Sequence, residues 1–186
     1  MTISVLPVDF HAIPVIVSES IVSLRPDIVL GLGTEIGAPA VRLETTAMNL
    51  ADSSIADNRG NLIRGQIPFP GKPHALAGTW PAASLVAQLH SHGIPAHVSH
   101  HAGAHLCNLT YYAMLDAIAQ SGCSSLCGYV HLPLLPEQVA DLIGERLQIP
   151  EKAPPANVYL PSMSLDLELR AVCNVLNGLL SICARG

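Results

Sequence analysis

Apolar and polar positions along the 186-residue chain alternate between strand-like runs and helical spacing. Asp27-Ile-Val-Leu-Gly-Leu-Gly33 is a continuous apolar run behind Pro26, which predicts a fully buried strand of a parallel sheet. Val41–Leu50 reads as one strand with Glu44 in its middle. Ala96–Ser99, after the breaker Pro95, reads as a short central strand, and Cys127–Leu132 as another. Ser4–Val8 is a short apolar run interrupted by Pro7, so it predicts an edge-like strand ending near Asp9.

Helical spacing fills the intervals. A helix is expected over about His11–Leu24, with Pro14 near its first turn and Arg25-Pro26 closing it. Pro81 opens a second to about His92, with Ala83, Val86, Ala87 and Leu89 inward and Gly93 as its stop. Leu109, Tyr112, Ala113 and Ala117 mark a third, ending near Gly122, and Pro136 opens a fourth through about Arg146. After a proline-rich connection at 150–161, Ser162 or Ser164 caps a last helix with Leu165, Leu169, Val172, Leu176 and Leu179 on one face. Asp57–Gly60 reads as a turn, and 65–79 as a loop. Strands alternating with helices predict one α/β domain over residues 1–186, a three-layer α/β/α sandwich with a mostly parallel central sheet.

Composition narrows the partners. Charged residues make up 12% against 49% hydrophobic, so apolar surface is expected to be covered by another subunit in a homo-oligomer, a dimer or tetramer. A net charge of −5 with no lysine- or arginine-rich run lacks the footprint of a nucleic-acid or anionic-membrane binder. The start, MTISVLPVDFHAI, has no basic region followed by a long apolar one, and no stretch approaches the roughly 20 apolar residues of a membrane span, so a cytoplasmic location is expected. Five cysteines, at 107, 123, 127, 173 and 183, form no CxxC pair and fit reduced thiols better than a disulfide framework.

Candidate chemistry centres on residues 99–108, SHHAGAHLCN, a small-residue bend running into Cys107 and a helix. A thiol at a strand-to-helix turn lies at the positive end of the helix dipole among unpaired N–H groups, which favour a thiolate and a developing oxyanion. A buried structural cysteine is the alternative. His131, near the C-terminal end of its strand and followed by Pro133, is positioned so that its side chain can face the end of the sheet where Cys107 is expected to open; taken alone, a satisfied buried histidine is the alternative. Glu44 is a carboxylate in the middle of this strand, costly to bury without a partner such as a histidine; on an exposed strand face it needs none. Gly31 and Gly33 do not make a dinucleotide motif, because the next glycine, Gly37, falls one position late. The dense histidines at 90, 92, 97, 100, 101 and 105 have no HExxH or CxxC companion spacing, so no metal is expected, and no GxSxG elbow is present.

Taken with these residues, SHHAGAHLCN, GYVHLPLLPEQ (128–138) and VRLETTAMNLADSSIADNRGN (41–61) resemble the pyroglutamyl peptidase I family, also called pyrrolidone-carboxylate peptidases. The family's cysteine motif is similar to AG-x-x-x-CN, its histidine motif to G-[FY]-[IV]-H-[IVL]-P-x-[LI]-PEQ, and its glutamate motif to E-[RT]-x-A-x-N ahead of a DN-x-G turn. LPV (6–8), RPDIVLGLG (25–33), HGIPAHVS (92–99) and PSMSLDLELRAV (161–172) extend the likeness along nearly the whole chain. The resemblance implies Cys107 as nucleophile, His131 as general base and then acid, and Glu44 as its orienting carboxylate. It further implies an α/β/α fold, no cofactor, and a small peptide substrate whose N-terminal 5-oxoproline is removed by acyl transfer. Thr34, Ala38, His105 and Leu106 are the positions expected against the substrate. Thr34 stands where the family has glutamine and Ala38 where it has arginine, and the chain begins after the family's first strand and GF-[DE]-PFGG loop. Two further readings stay open: the same triad acting on another cyclic or small-acyl amide, and an interaction protein that retains the fold.

Overall fold

A computed structural model describes residues 1–147 and 160–185. In chain order it holds α1 (Ala12–Leu24), β1 (Ile28–Thr34), β2 (Val41–Glu44), β3 (Thr46–Met48), β4 (Ala75–Ala77), α2 (Ala82–Ser91), β5 (Ala96–Ser99), α3 (Leu106–Ser121), β6 (Leu126–Leu132), α4 (Pro136–Leu147) and α5 (Leu165–Cys183). The main sheet has the order β1-β6-β2-β5, with β1 parallel to β6, β2 parallel to β5, and an antiparallel seam between β2 and β6. Parallel pairing demands crossovers, and the helices supply them on both faces. One apolar core joins α1 and α3 to the face carrying Cys127 and Tyr129; the other joins α2 and α5 to the face carrying Val41, Leu43 and Val130. This is the α/β/α sandwich the element pattern predicts. Most of the proline-rich connection expected at 150–161 lies outside the described residues.

Several local expectations are corrected. Ser4–Val8 forms no strand: Pro7 withholds a donor, Ile3 and Val5 stay exposed, and only Leu6 packs on the core. The run from Asp27 is therefore not buried on all sides. Its strand β1 lies at the sheet's edge, partly exposed, with Leu32 48% accessible. Ala96–Ser99 is likewise the opposite edge and not central. The single strand expected over 41–50 breaks at Thr45, whose N–H and hydroxyl both bond to the Ser99 carbonyl, so Glu44 ends β2 and does not sit mid-strand. β3 instead pairs with β4 inside the segment read as a loop.

Helix faces also differ. In α2 the buried residues are Ala82, Leu85, Val86 and Leu89, while Ala83 and Ala87 are exposed. In α5 the inward stripe is Glu168, Ala171, Val175 and Leu179; Leu165 and Leu169 are 55% and 56% accessible. Ser164, not Ser162, is the cap, accepting from the Leu167 N–H. The helix α3 is buried on all sides from Leu106 to Ile118 save Cys107, because α1, the sheet and the β3/β4 ribbon surround it. Asn108 ties that ribbon down, accepting from Met48 N–H and donating to the Met48 and Leu50 carbonyls.

Strand alternation sends Gly128 to the α2 face, where a Cβ would stand 2.1 Å from the Trp80 ring. Gly128→Ala is expected to destabilise the fold by about 1–3 kcal/mol through overpacking, lowering the melting temperature by several degrees in thermal denaturation followed by circular dichroism.

Candidate active site

The period of two along the strands sorts the polar residues. Val41 and Leu43 of β2 point to the α2 and α5 core, so Arg42 and Glu44 point to the α3 side. Cys127 and Tyr129 of β6 face α3, and His131 continues that row. In the antiparallel seam Arg42 lies opposite His131 and Glu44 opposite Tyr129. Residues distant in sequence thus share one wall beside the first turn of α3, where Cys107 stands.

Glu44 is fully buried, and His131 is 5% accessible. The His131 Nδ1 donates to Glu44 Oε1 at 2.8 Å, the partner such a carboxylate requires. The other imidazole nitrogen is left for the thiol, and His131 and Cys107 each shift the other's pKa. The Glu44 backbone is equally fixed. Its carbonyl, freed at the end of β2, accepts from Trp80 Nε1 at 2.9 Å and from the Tyr111 hydroxyl at 3.1 Å.

Electrostatics follow from this chain of contacts. Burial pushes the Cys107 thiol up, but hydrogen bonds from His131 and Tyr129 and the imidazolium charge outweigh it, leaving its pKa below the ordinary value. Burial disfavours the His131 imidazolium, yet its bonds to Cys107 and Glu44 and their negative charges raise its pKa to about 9. Both shifts favour the thiolate–imidazolium form of the pair over the neutral one. Cys127, enclosed in the same core, has its thiol pushed up by burial alone and stays protonated. The first N–H groups of α3 have no partner within the helix, and their dipole end faces the thiolate, so they are placed to receive an oxyanion.

Two residues of the site went unnoticed in the sequence, although each lies two positions before an identified one. Tyr129 precedes His131 on the same strand face, its ring 5.2 Å from the imidazole, and its hydroxyl reaches both the thiol and the Leu32 carbonyl, the latter at 3.3 Å. Room for it comes from Gly31 and Gly33. A Cβ on Gly31 would stand 2.3 Å from the Tyr129 ring, and one on Gly33 would stand 2.5 Å from its hydroxyl and 3.1 Å from Cys107 Sγ. These glycines therefore form a slot for an aromatic ring. Arg42 precedes Glu44, with Nε 3.3 Å from Glu44 Oε1 and an ion pair to Glu35. Glu35, Glu44 and His131 have ligand atoms within 4.8 Å of one another, but the guanidinium of Arg42 already supplies the cation there.

The family model described as pyroglutamyl peptidase matches residues 1–180. The chain belongs to the pyroglutamyl peptidase family. A pyrrolidone-carboxylate peptidase of Pyrococcus furiosus is 36% identical over 168 residues, 90% of this chain and 76% of that protein. One of Ralstonia nicotianae is 35% identical over 75% of this chain and 65% of its own length. Among solved structures, one titled Pf-PCP(1-204)-C superposes with a TM-score of 0.86 at 32% identity, covering 96% of this chain and 79% of that one.

Within this pyroglutamyl peptidase fold, the remaining expected positions divide. Thr34 is exposed at the end of β1, and Ala38 is buried at 5% accessibility in the turn before β2, with no functional group to offer. His105 sets its ring edge-on to Phe10 at 5.1 Å, immediately before α3, with Nε2 buried and without a partner among the described residues. Leu106 is part of the core between α3 and α1, not an open wall.

Alkylation of Cys107 by iodoacetamide measures the thiolate directly. Its midpoint is expected below the ~8.5 of a free cysteine, moving up in Tyr129→Phe and further in His131→Ala, as each donor to sulfur is removed. Identical profiles in all three proteins would show that neither contact acts on the thiol.

Proposed function

We propose that Cys107, His131 and Glu44 carry the reaction of this family, removal of an N-terminal pyroglutamyl residue from a small peptide. The observation that supports it most directly is the buried chain of contacts from Glu44 through His131 to Cys107 at the start of α3. The thiolate attacks the carbonyl of the 5-oxoproline, forming the C–S bond, and the oxygen gathers charge beside the N–H groups of the first turn. As the C–N bond breaks, the His131 imidazolium gives its proton to the leaving amine. His131, now neutral, takes a proton from water, whose oxygen attacks the thioester and releases 5-oxoproline and the thiolate. Glu44 keeps the ring in the tautomer that presents its second nitrogen to sulfur and compensates the charge it acquires. No cofactor enters any of these steps. No helix among the described residues is long and apolar enough to cross a membrane, and the reading places this enzyme in the cytoplasm, where its thiols stay reduced, as a homo-oligomer.

A pyroglutamyl-coumarin amide is the direct assay. Cys107→Ala is expected to release no fluorophore above background, and equal release from wild type and variant would remove Cys107 as nucleophile. Glu44→Gln is expected to lose about 10²–10⁴ in rate while still accepting the imidazole hydrogen bond. Its alkaline limb should also move. In the wild type the imidazolium is lost as pH rises through about 9, and removing the Glu44 charge withdraws one of the interactions that raise that value, so the fall in kcat/KM should begin at lower pH.

A further inference from the structure

Among the described residues the reactive wall carries its arginine at position 42 and not at position 38, and nothing in the triad itself explains its placement. Its guanidinium has the Glu35 carboxylate on one side and Glu44 Oε1, 3.3 Å from Nε, on the other. Nη2 donates to Ser99 Oγ at 2.8 Å and to the His101 carbonyl at 3.2 Å. The side chain is thereby held from three directions: the segment after β1, the end of β5, and the bend leading into α3. Such fixation at a largely buried site is more than a surface ion pair requires, since exposed pairs contribute little and stay mobile.

The Arg42 Nε contact is an ion pair without a hydrogen bond, and it converges on the same oxygen that receives His131 Nδ1, while Glu44 Oε2 has no hydrogen-bond partner among the described residues. A buried carboxylate bonded through one oxygen only is free to rotate about its last torsion unless something else fixes it. The Trp80 and Tyr111 bonds fix the Glu44 backbone and leave that torsion untouched. We propose that Arg42 is a positioning residue of the reaction: it acts through Glu44, holding Oε1 against His131 and sharing with the imidazolium the compensation of a fully buried negative charge. Charges alternate along the resulting row, Glu35, Arg42, Glu44, His131 and Cys107, from the partly exposed end to the thiolate. The inference rests on the triad reading above.

The pairing makes an opposite demand on His131 from that of Glu44→Gln. With Arg42 present, two cations share one carboxylate; without it, the imidazolium is the sole counter-charge and holds its proton to higher pH. The groups that face this pair are Glu35 and Arg42, Cys107 and Tyr111 from α3, and Tyr129 from β6.

Arg42→Met tests the proposal, with histidine titration by NMR on the intact chain read beside pyroglutamyl-amide turnover. The expected result is a rise of about one unit in the His131 midpoint, as for removing a like charge within ~4–6 Å. A fall of about tenfold in kcat should accompany it, the equivalent of one unit, with KM little changed. Arg42→Lys, which restores the charge without the fork, should recover most of the midpoint and part of kcat. If Arg42→Met does not fold, Arg42→Gln, which can still bond Ser99, is read in the same way. An unchanged His131 midpoint, or a loss confined to melting temperature or KM, overturns the proposal. Because the titration requires no turnover, it can fail while Cys107→Ala still abolishes activity, and Cys107→Ala can retain activity while the titration still shifts.

Discussion

A carboxylate with no solvent contact constrains the rest of this structure. Glu44 could not be buried at the end of β2 without a donor to its side chain and without partners for the carbonyl that the broken ladder leaves free. His131 answers the first need, and Trp80 with Tyr111 the second. Each answer imposes its own condition. Trp80 requires a glycine at 128, and Tyr111 requires one at 78, where a Cβ would stand 2.0 Å from the phenol oxygen. The reactive geometry is thus specified by packing on both faces of the sheet, not by the site alone.

The antiparallel seam between β2 and β6 makes this arrangement available. In a wholly parallel sheet, the two strand ends carrying Glu44 and His131 would be presented from parallel neighbours. Here the seam sets Arg42 opposite His131 and Glu44 opposite Tyr129, so a diagonal pair forms the carboxylate–imidazole bond. The parallel partner β1 contributes glycines on the same face, and the absence of their side chains lets Tyr129 lie flat beside the thiol. Cys107 completes the wall because α3 starts there, with its dipole and free N–H groups directed at sulfur.

Five cysteines in one chain also show how environment divides a single chemistry. Cys127 is buried and Cys107 half-buried, and both pack on the same core on one side of the sheet. One meets an imidazole and a phenol and is shifted toward the thiolate; the other is shifted away from it by burial alone. Burial by itself therefore does not identify a nucleophile, and the partners do.

Much of this protein was determined by its sequence alone. The alternation of strand and helix signals specified the α/β/α class, because periods of two and 3.6 are local properties of the chain. The three motifs around Glu44, Cys107 and His131 named residues that the fold brings onto one wall, because chemistry of that kind needs particular residue types near strand and helix ends. Only the tertiary structure decided which strands are edges, which way the α2 and α5 faces turn, and that 41–50 breaks at Thr45 to serve Ser99. Those outcomes depend on neighbours far along the chain. Tyr129 and Arg42 belong to the same class: nothing local marks a tyrosine or an arginine as bound to a reacting group. Gly31 and Gly33, which resemble half of a nucleotide motif when read along the chain, become a slot for an aromatic ring once β6 lies beside them, since only pairing determines what occupies the space a glycine leaves.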